Sequence, residues 1–110
     1  MSGSLVTTHL QELILADLDE MAAFARAVGH VLRQERQRRN WSLAETGEPI
    51  GLSESVLCRV ELGVRPLDIR RLVGLCAVLG RSPADVIALA QAKAYPLGWP
   101  ESLSYGGRWT

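Results

Sequence analysis

The chain has little of what catalytic and metal centres are built from. Among its 110 residues there are two histidines, His9 and His30, and two cysteines, Cys58 and Cys76. The histidines lie far apart and neither has a cysteine or carboxylate companion at ligand spacing, so neither a zinc site nor a catalytic triad is supported. The cysteines stand eighteen positions apart and are expected as free thiols. An enzymatic role, a metal and a cofactor are therefore not expected. Long apolar runs are missing too: none approaches the length needed to cross a bilayer, and the first residues lack a basic segment followed by a signal-like apolar core. The sequence reading is accordingly cytoplasmic, with no membrane partner. No internal repeat is present. Finally, there is no excess charge of either sign: twelve basic side chains balance twelve acidic ones, which on first inspection argues against a nucleic-acid partner.

What is present is a hydrophobic content of 47%, enough for one modest core in a domain that would gain from a partner. The charge is unevenly distributed. Residues 1–27 carry Arg26 against Glu12, Asp17, Asp19 and Glu20, a net of minus three. Residues 28–81 carry nine arginines against six carboxylates, a net of plus three, and residues 82–110 are balanced. The central stretch is thus mildly basic and the acidity lies outside it.

That stretch reads as five short helices between Val28 and Leu89. Within it, the run from Leu43 to Leu62 has the spacing of two short helices joined by a tight turn. Gly47 supplies a small residue where the helices touch, and Gly51 lets the chain leave the first of them in a left-handed conformation. Ser53 can cap the next helix, and Ile50, Leu52, Leu57 and Val60 fall on its inner face. After it, Pro66 and Asp68 open a fourth helix through Leu72, Leu75, Cys76 and Leu79 to Gly80. Ser82-Pro-Ala-Asp85 then caps a fifth that lasts to about Ala92.

Upstream, an apolar segment from Leu10 to Ala16 precedes Asp17-Leu-Asp-Glu20, which has the form of a capping box and predicts a long helix from about Leu18 to Arg39. On the extension, residues 5–27, Leu10, Leu13, Ile14, Leu18, Met21 and Phe24 recur three and four apart. Such a stripe must pack, either back on its own domain or as a homodimer interface. The chain therefore divides into an N-terminal helical extension (1–27), a helical domain (28–93) and an irregular tail (94–110). The tail holds Tyr95, Trp99, Tyr105 and Trp109, which suggests docking on its own surface or a partner's.

Taken together, the opening Val28-Gly-His-Val-Leu-Arg-Gln-Glu-Arg, the Gly47 to Val60 turn and the exit Arg59-Val-Glu-Leu-Gly resemble the lambda-repressor-like, Xre/Cro family of helix-turn-helix domains. The resemblance covers Val28 to about Leu89 and implies an all-α, five-helix fold with the third helix, about residues 53–61, in the major groove of double-stranded DNA. It also implies a partly buried ion pair between Arg36 and Glu61. The base-reading positions fall on Glu54, Ser55 and Arg59, with Val56 and Cys58 beside them and Ser53 at the helix start. Arg59 can donate two bonds to a guanine and Val56 can meet a thymine methyl. Glu54 repels phosphates unless it accepts a bond from a cytosine amino group. Phosphate positioning falls to Ser42 and Leu43 at the start of the second helix, to Arg33, and to Arg65 after the third.

Two positions depart from the family. Thr46 stands where a leucine is usual, and Pro49 lies within the expected second helix, which is therefore read as short, bent or partly irregular. Cys76 is expected in the core and Cys58 on the outer face of the third helix as a surface thiol. The arginine-rich, lysine-poor composition points to a GC-rich prokaryotic or phage coding genome. The expected function is a homodimeric transcriptional regulator binding a two-fold operator. The alternative is an interaction module on the same fold, such as an antitoxin, anti-repressor or adaptor, holding a second protein such as a toxin.

Overall fold

The computed structural model describes the backbone of residues 2–103 and the side chains of residues 18–101 and Leu103. Among the described residues there are five α-helices and no strand: α1 (Ser2–Arg38), α2 (Leu43–Gly47), α3 (Glu54–Glu61), α4 (Ile69–Leu79) and α5 (Pro83–Ala94). Short 3₁₀ turns follow at Glu48–Ile50 and Glu101–Leu103.

The local signals explain most of these boundaries. Ser53, Asp68 and Ser82 each sit in extended conformation and accept a hydrogen bond from an amide two or three residues on. Each relieves one of the four unpaired amides at a helix start. Gly51 and Gly80 close their helices at φ of 69° and 67°, the left-handed region that other residues enter only at a cost. Pro49 acts as expected: α2 stops at Gly47 and the chain tightens into a 3₁₀ turn through Pro49. In that geometry the missing proline amide costs no α-helical bond.

One boundary differs. In place of a helix capped near Asp17, α1 is continuous for 37 residues. No glycine or proline occurs between Gly3 and Gly29. A fresh start at Asp17 would strand four amides, whereas propagation adds one backbone bond per residue. At 1.5 Å per residue α1 is about 55 Å long, matching the 57 Å long axis of the molecule. The extension thus makes up the first two-thirds or so of α1, and the expected 27/28 boundary falls inside a helix.

The C-terminal half of α1 forms the spine of the core. Val28, Val31, Leu32 and Glu35 recur on one buried face, and α1 packs along α5 as well as against α3 and α4. Leu57 and Val60 of α3, Leu75, Cys76 and Leu79 of α4, and Val86 and Ala90 of α5 complete it. A fully buried leucine such as Leu32 or Leu57 contributes about 2 kcal/mol by removal from water. Cys76 is buried as expected, and burial pushes its thiol pKa up. Ile50 is only partly buried against the core. Thr46 is almost fully buried where an apolar residue was expected; its hydroxyl donates to the Ser42 carbonyl at 2.9 Å, so no polar atom is stranded.

The start of the C-terminal tail docks on its own chain. Tyr95 is buried, stacks on Phe24 of α1 with centroids 6.0 Å apart, and donates its hydroxyl to the Glu20 carbonyl. Trp99 meets both rings edge-on. Tyr105 and Trp109 lie outside the described residues. No single described helix is long and apolar enough to cross a membrane.

Candidate nucleic-acid interface

The geometry of α2 and α3 follows from two close approaches. A Cβ on Gly47 would collide with the Leu52 carbonyl, and one on Gly29 would collide with the carbonyls of Val60 and Glu61. Backbones can meet there only because both residues are glycine. The first contact sets the angle between α2 and α3, and the second seats the end of α3 against α1.

Electrostatics then fixes α3. Arg36 Nε donates to Glu61 Oε2 at 2.7 Å and Nη2 donates to Oε1 at 2.8 Å, a two-pronged pair with 13% and 5% of the side chains exposed. A third nitrogen, Nη1, donates to the Trp41 carbonyl at 2.9 Å. One guanidinium therefore ties α1, the turn into α2 and the end of α3 together. The hydrogen bond to Glu61 raises the Arg36 pKa above the ordinary arginine value, against the opposing effect of burial.

With its inner face held, α3 turns Glu54, Ser55 and Arg59 to solvent, along with the Ser53 cap. Val56 and Cys58 are half-buried, and Val56 packs on the core edge. Cys58, expected as a surface thiol on the outer face of α3, is a free thiol that is partly covered.

The candidate phosphate positions fare differently. Ser42 and Glu45 form a full capping box: the Ser42 hydroxyl accepts from the Glu45 amide at 3.0 Å, and the Glu45 carboxylate accepts from the Ser42 amide. A carboxylate thus occupies the start of α2, where Ser42 and Leu43 were expected to receive a phosphate. Glu48 and Glu54 line a shallow groove beside it with Ala44, Leu52 and Ser53. Arg33 is exposed, but it lines a groove with Arg26, His30, Leu62 and Lys93, between α1 and the end of α5. Arg65 is half-buried, and its Nε is enclosed without a hydrogen-bond partner. It was expected to position a phosphate from the loop after α3.

Sequence reasoning missed Glu35. Its side chain is 5% exposed and is ringed by Arg38 and Arg39 at 3.0 Å and Arg81 at 3.7 Å. Arg39 also lies 5.8 Å from the Trp41 ring centroid. The local signal was available, since Glu35 continues the Val28, Val31, Leu32 stripe and lies three and four residues before its partners. Arg81 reaches it only through tertiary packing. Consequently five arginines of the basic stretch, Arg36, Arg38, Arg39, Arg71 and Arg81, are engaged with carboxylates. Arg38 remains 68% exposed despite its pairing.

Of the expected dimer stripe, Leu18 and Met21 are 53% and 50% exposed. The side chains of Leu10, Leu13 and Ile14 lie outside the described residues. Among the described residues no three of His, Cys, Asp and Glu converge as metal ligands.

A family model described as a helix-turn-helix domain matches residues 27–89. That is more than half of the chain, which belongs to the helix-turn-helix domain family, in accord with the Xre/Cro resemblance. Comparison with curated proteins and with solved structures gave no match.

Proposed function

We propose that the chain is a sequence-specific regulator of transcription that binds double-stranded DNA as a homodimer, with α3 of each subunit in the major groove. It is a non-enzymatic, cytoplasmic protein in this reading. The observation that carries the proposal is α3 itself: its inner face is locked by the Arg36–Glu61 pair while Glu54, Ser55 and Arg59 face outward. Arg59 supplies direct readout of a guanine edge and Ser55 a base or phosphate bond. Arg38, exposed at the end of α1, supplies phosphate positioning in place of the capped α2 start. The half-exposed Leu18 and Met21, on the helix that extends from the domain, support pairing of two copies through α1.

A second reading is favoured by one specific feature. Glu45, Glu48 and Glu54 are all exposed around the α2–α3 turn, so the face that would approach phosphates is rimmed with like charge. An interaction module on this fold, contacting a basic protein such as a toxin, would use that rim directly. A salt series of DNA-binding measurements on the full chain separates the readings. The regulator loses affinity steeply as salt rises, because phosphate contacts release counterions. Arg59→Ala then lowers the preference for the operator over random DNA, whereas Arg38→Ala weakens both alike. No binding at low salt sinks the regulator reading and leaves the interaction module.

A further inference from the structure

Behind α3, a cleft of about 200 Å³ opens between α1, α4, α5 and the loop that follows α3. Its walls are hydrocarbon and aromatic, chiefly Phe24, Val28, Leu67, Leu72 and Ile87. A single charged residue lines it, Arg65. The Nε of Arg65 is enclosed by protein with no hydrogen-bond partner, and among the described residues no carboxylate lies within ion-pair distance of this guanidinium. Buried donors are nearly always satisfied, and an unmet one is costly to keep. An apolar cleft lined by one cation that no carboxylate pairs is a matched half of an amphipathic anion.

We propose that this cleft binds a small apolar monocarboxylate, an aryl or medium-chain alkyl acid, with its carboxylate on Arg65 and its hydrocarbon against Phe24, Leu72 and Ile87. The planar guanidinium fork suits a carboxylate in particular. Size sets the class: an apolar cavity of about 150 Å³ holds benzene, so this one accommodates a ring carrying a short acid arm. A dianion would bring a second charge into apolar walls that have nothing to pair with it. The site also touches Val60 of α3 and Gly29 of α1, the joint at which α3 is seated. It does not depend on the DNA-binding reading.

The test uses the full chain without DNA, so that it stands or falls separately from the DNA assay. Sodium phenylacetate, sodium octanoate and neutral 2-phenylethanol are titrated at up to millimolar concentration, and amide chemical shifts are followed by NMR. Saturable shifts centred on Phe24, Arg65, Leu72 and Ile87 are expected with at least one of the two acids. Arg65→Gln should weaken that acid by about tenfold or more, since its carboxylate loses a charge-assisted partner. Ala25→Trp, at an exposed position on the cleft wall, should block it while leaving the fold intact by circular dichroism. Absence of shifts with both acids overturns the proposal. So does equal binding of 2-phenylethanol, or an Ala25→Trp protein that binds as wild type does.

Discussion

Replacing Arg36 with alanine removes three hydrogen bonds at once and takes from the Glu61 carboxylate, 5% exposed in the intact pair, its ion-pair partner. Stranding one member of a buried pair costs roughly 3–5 kcal/mol. That is a large share of the roughly 5–15 kcal/mol that holds a domain of this size together. At several degrees per kcal/mol, the melting temperature should fall by roughly 12–25 °C. Thermal unfolding followed by circular dichroism measures it. Two further variants separate charge stranding from lost packing. Arg36→Lys keeps the charge but not the two-pronged geometry and should fall between wild type and Arg36→Ala. The double substitution Arg36→Met with Glu61→Leu removes both charges and should recover much of the loss, because a well-packed apolar pair can match a buried ion pair. An Arg36→Ala protein melting within about 2 °C of wild type, well under the shift from 1 kcal/mol, would refute the argument. The guanidinium pKa is raised in the folded protein, so its contribution persists throughout the neutral range and is lost only in strong alkali.

Gly29→Ala should destabilise by about 2 kcal/mol or more, read as a lower urea midpoint. Alanine gains about 1 kcal/mol of helix propensity, but a Cβ driven into two backbone carbonyls costs more. Tyr95→Phe should lose about 1 kcal/mol, because the ring stack survives while the bond to the Glu20 carbonyl goes. Burial, and secondarily the Glu20 charge, raise the Tyr95 pKa. Its contribution is therefore full below the unfolded tyrosine value of about 10 and disappears as pH climbs through the higher folded value. Above pH about 10 the wild type should lose stability more steeply than Tyr95→Phe, and parallel alkaline profiles would contradict this. Leu18→Glu combined with Met21→Glu should convert a dimer to a monomer in sedimentation equilibrium; a wild type that is monomeric at micromolar concentration argues against pairing through α1.

Much of the scaffold was legible because its determinants act within a few residues. Ser53, Asp68 and Ser82 cap amides two or three positions on, Gly51 supplies its own left-handed turn, and Pro49 shortens α2 wherever the rest of the chain goes. The misread start of α1 has the same local origin. Asp17 and Glu20 spell a capping box, but a cap is useful only where a helix has a reason to begin, and nothing upstream of Asp17 breaks one. Within the candidate interface, the exposure of Glu54, Ser55 and Arg59 followed from helical spacing. The states of Arg33 and Arg65 did not, whereas the Ser42-Leu-Ala-Glu45 capping box at the start of α2 is itself a local pattern.

The sequence by itself determined five helices, their caps, the α2–α3 turn and the residues able to face outward from α3. Tertiary structure decided which charges remain available. Arg81 closes on Glu35 from beyond the far end of α4, and Arg65 comes to line an apolar cleft. A formal charge of plus three over residues 28–81 could be counted from the chain. Arg38, Arg39 and Arg71 find carboxylates within four residues, but the surroundings of Arg36, Arg65 and Arg81 depend on residues far along the chain, because Coulomb and desolvation energies follow distance in space and not position along the backbone.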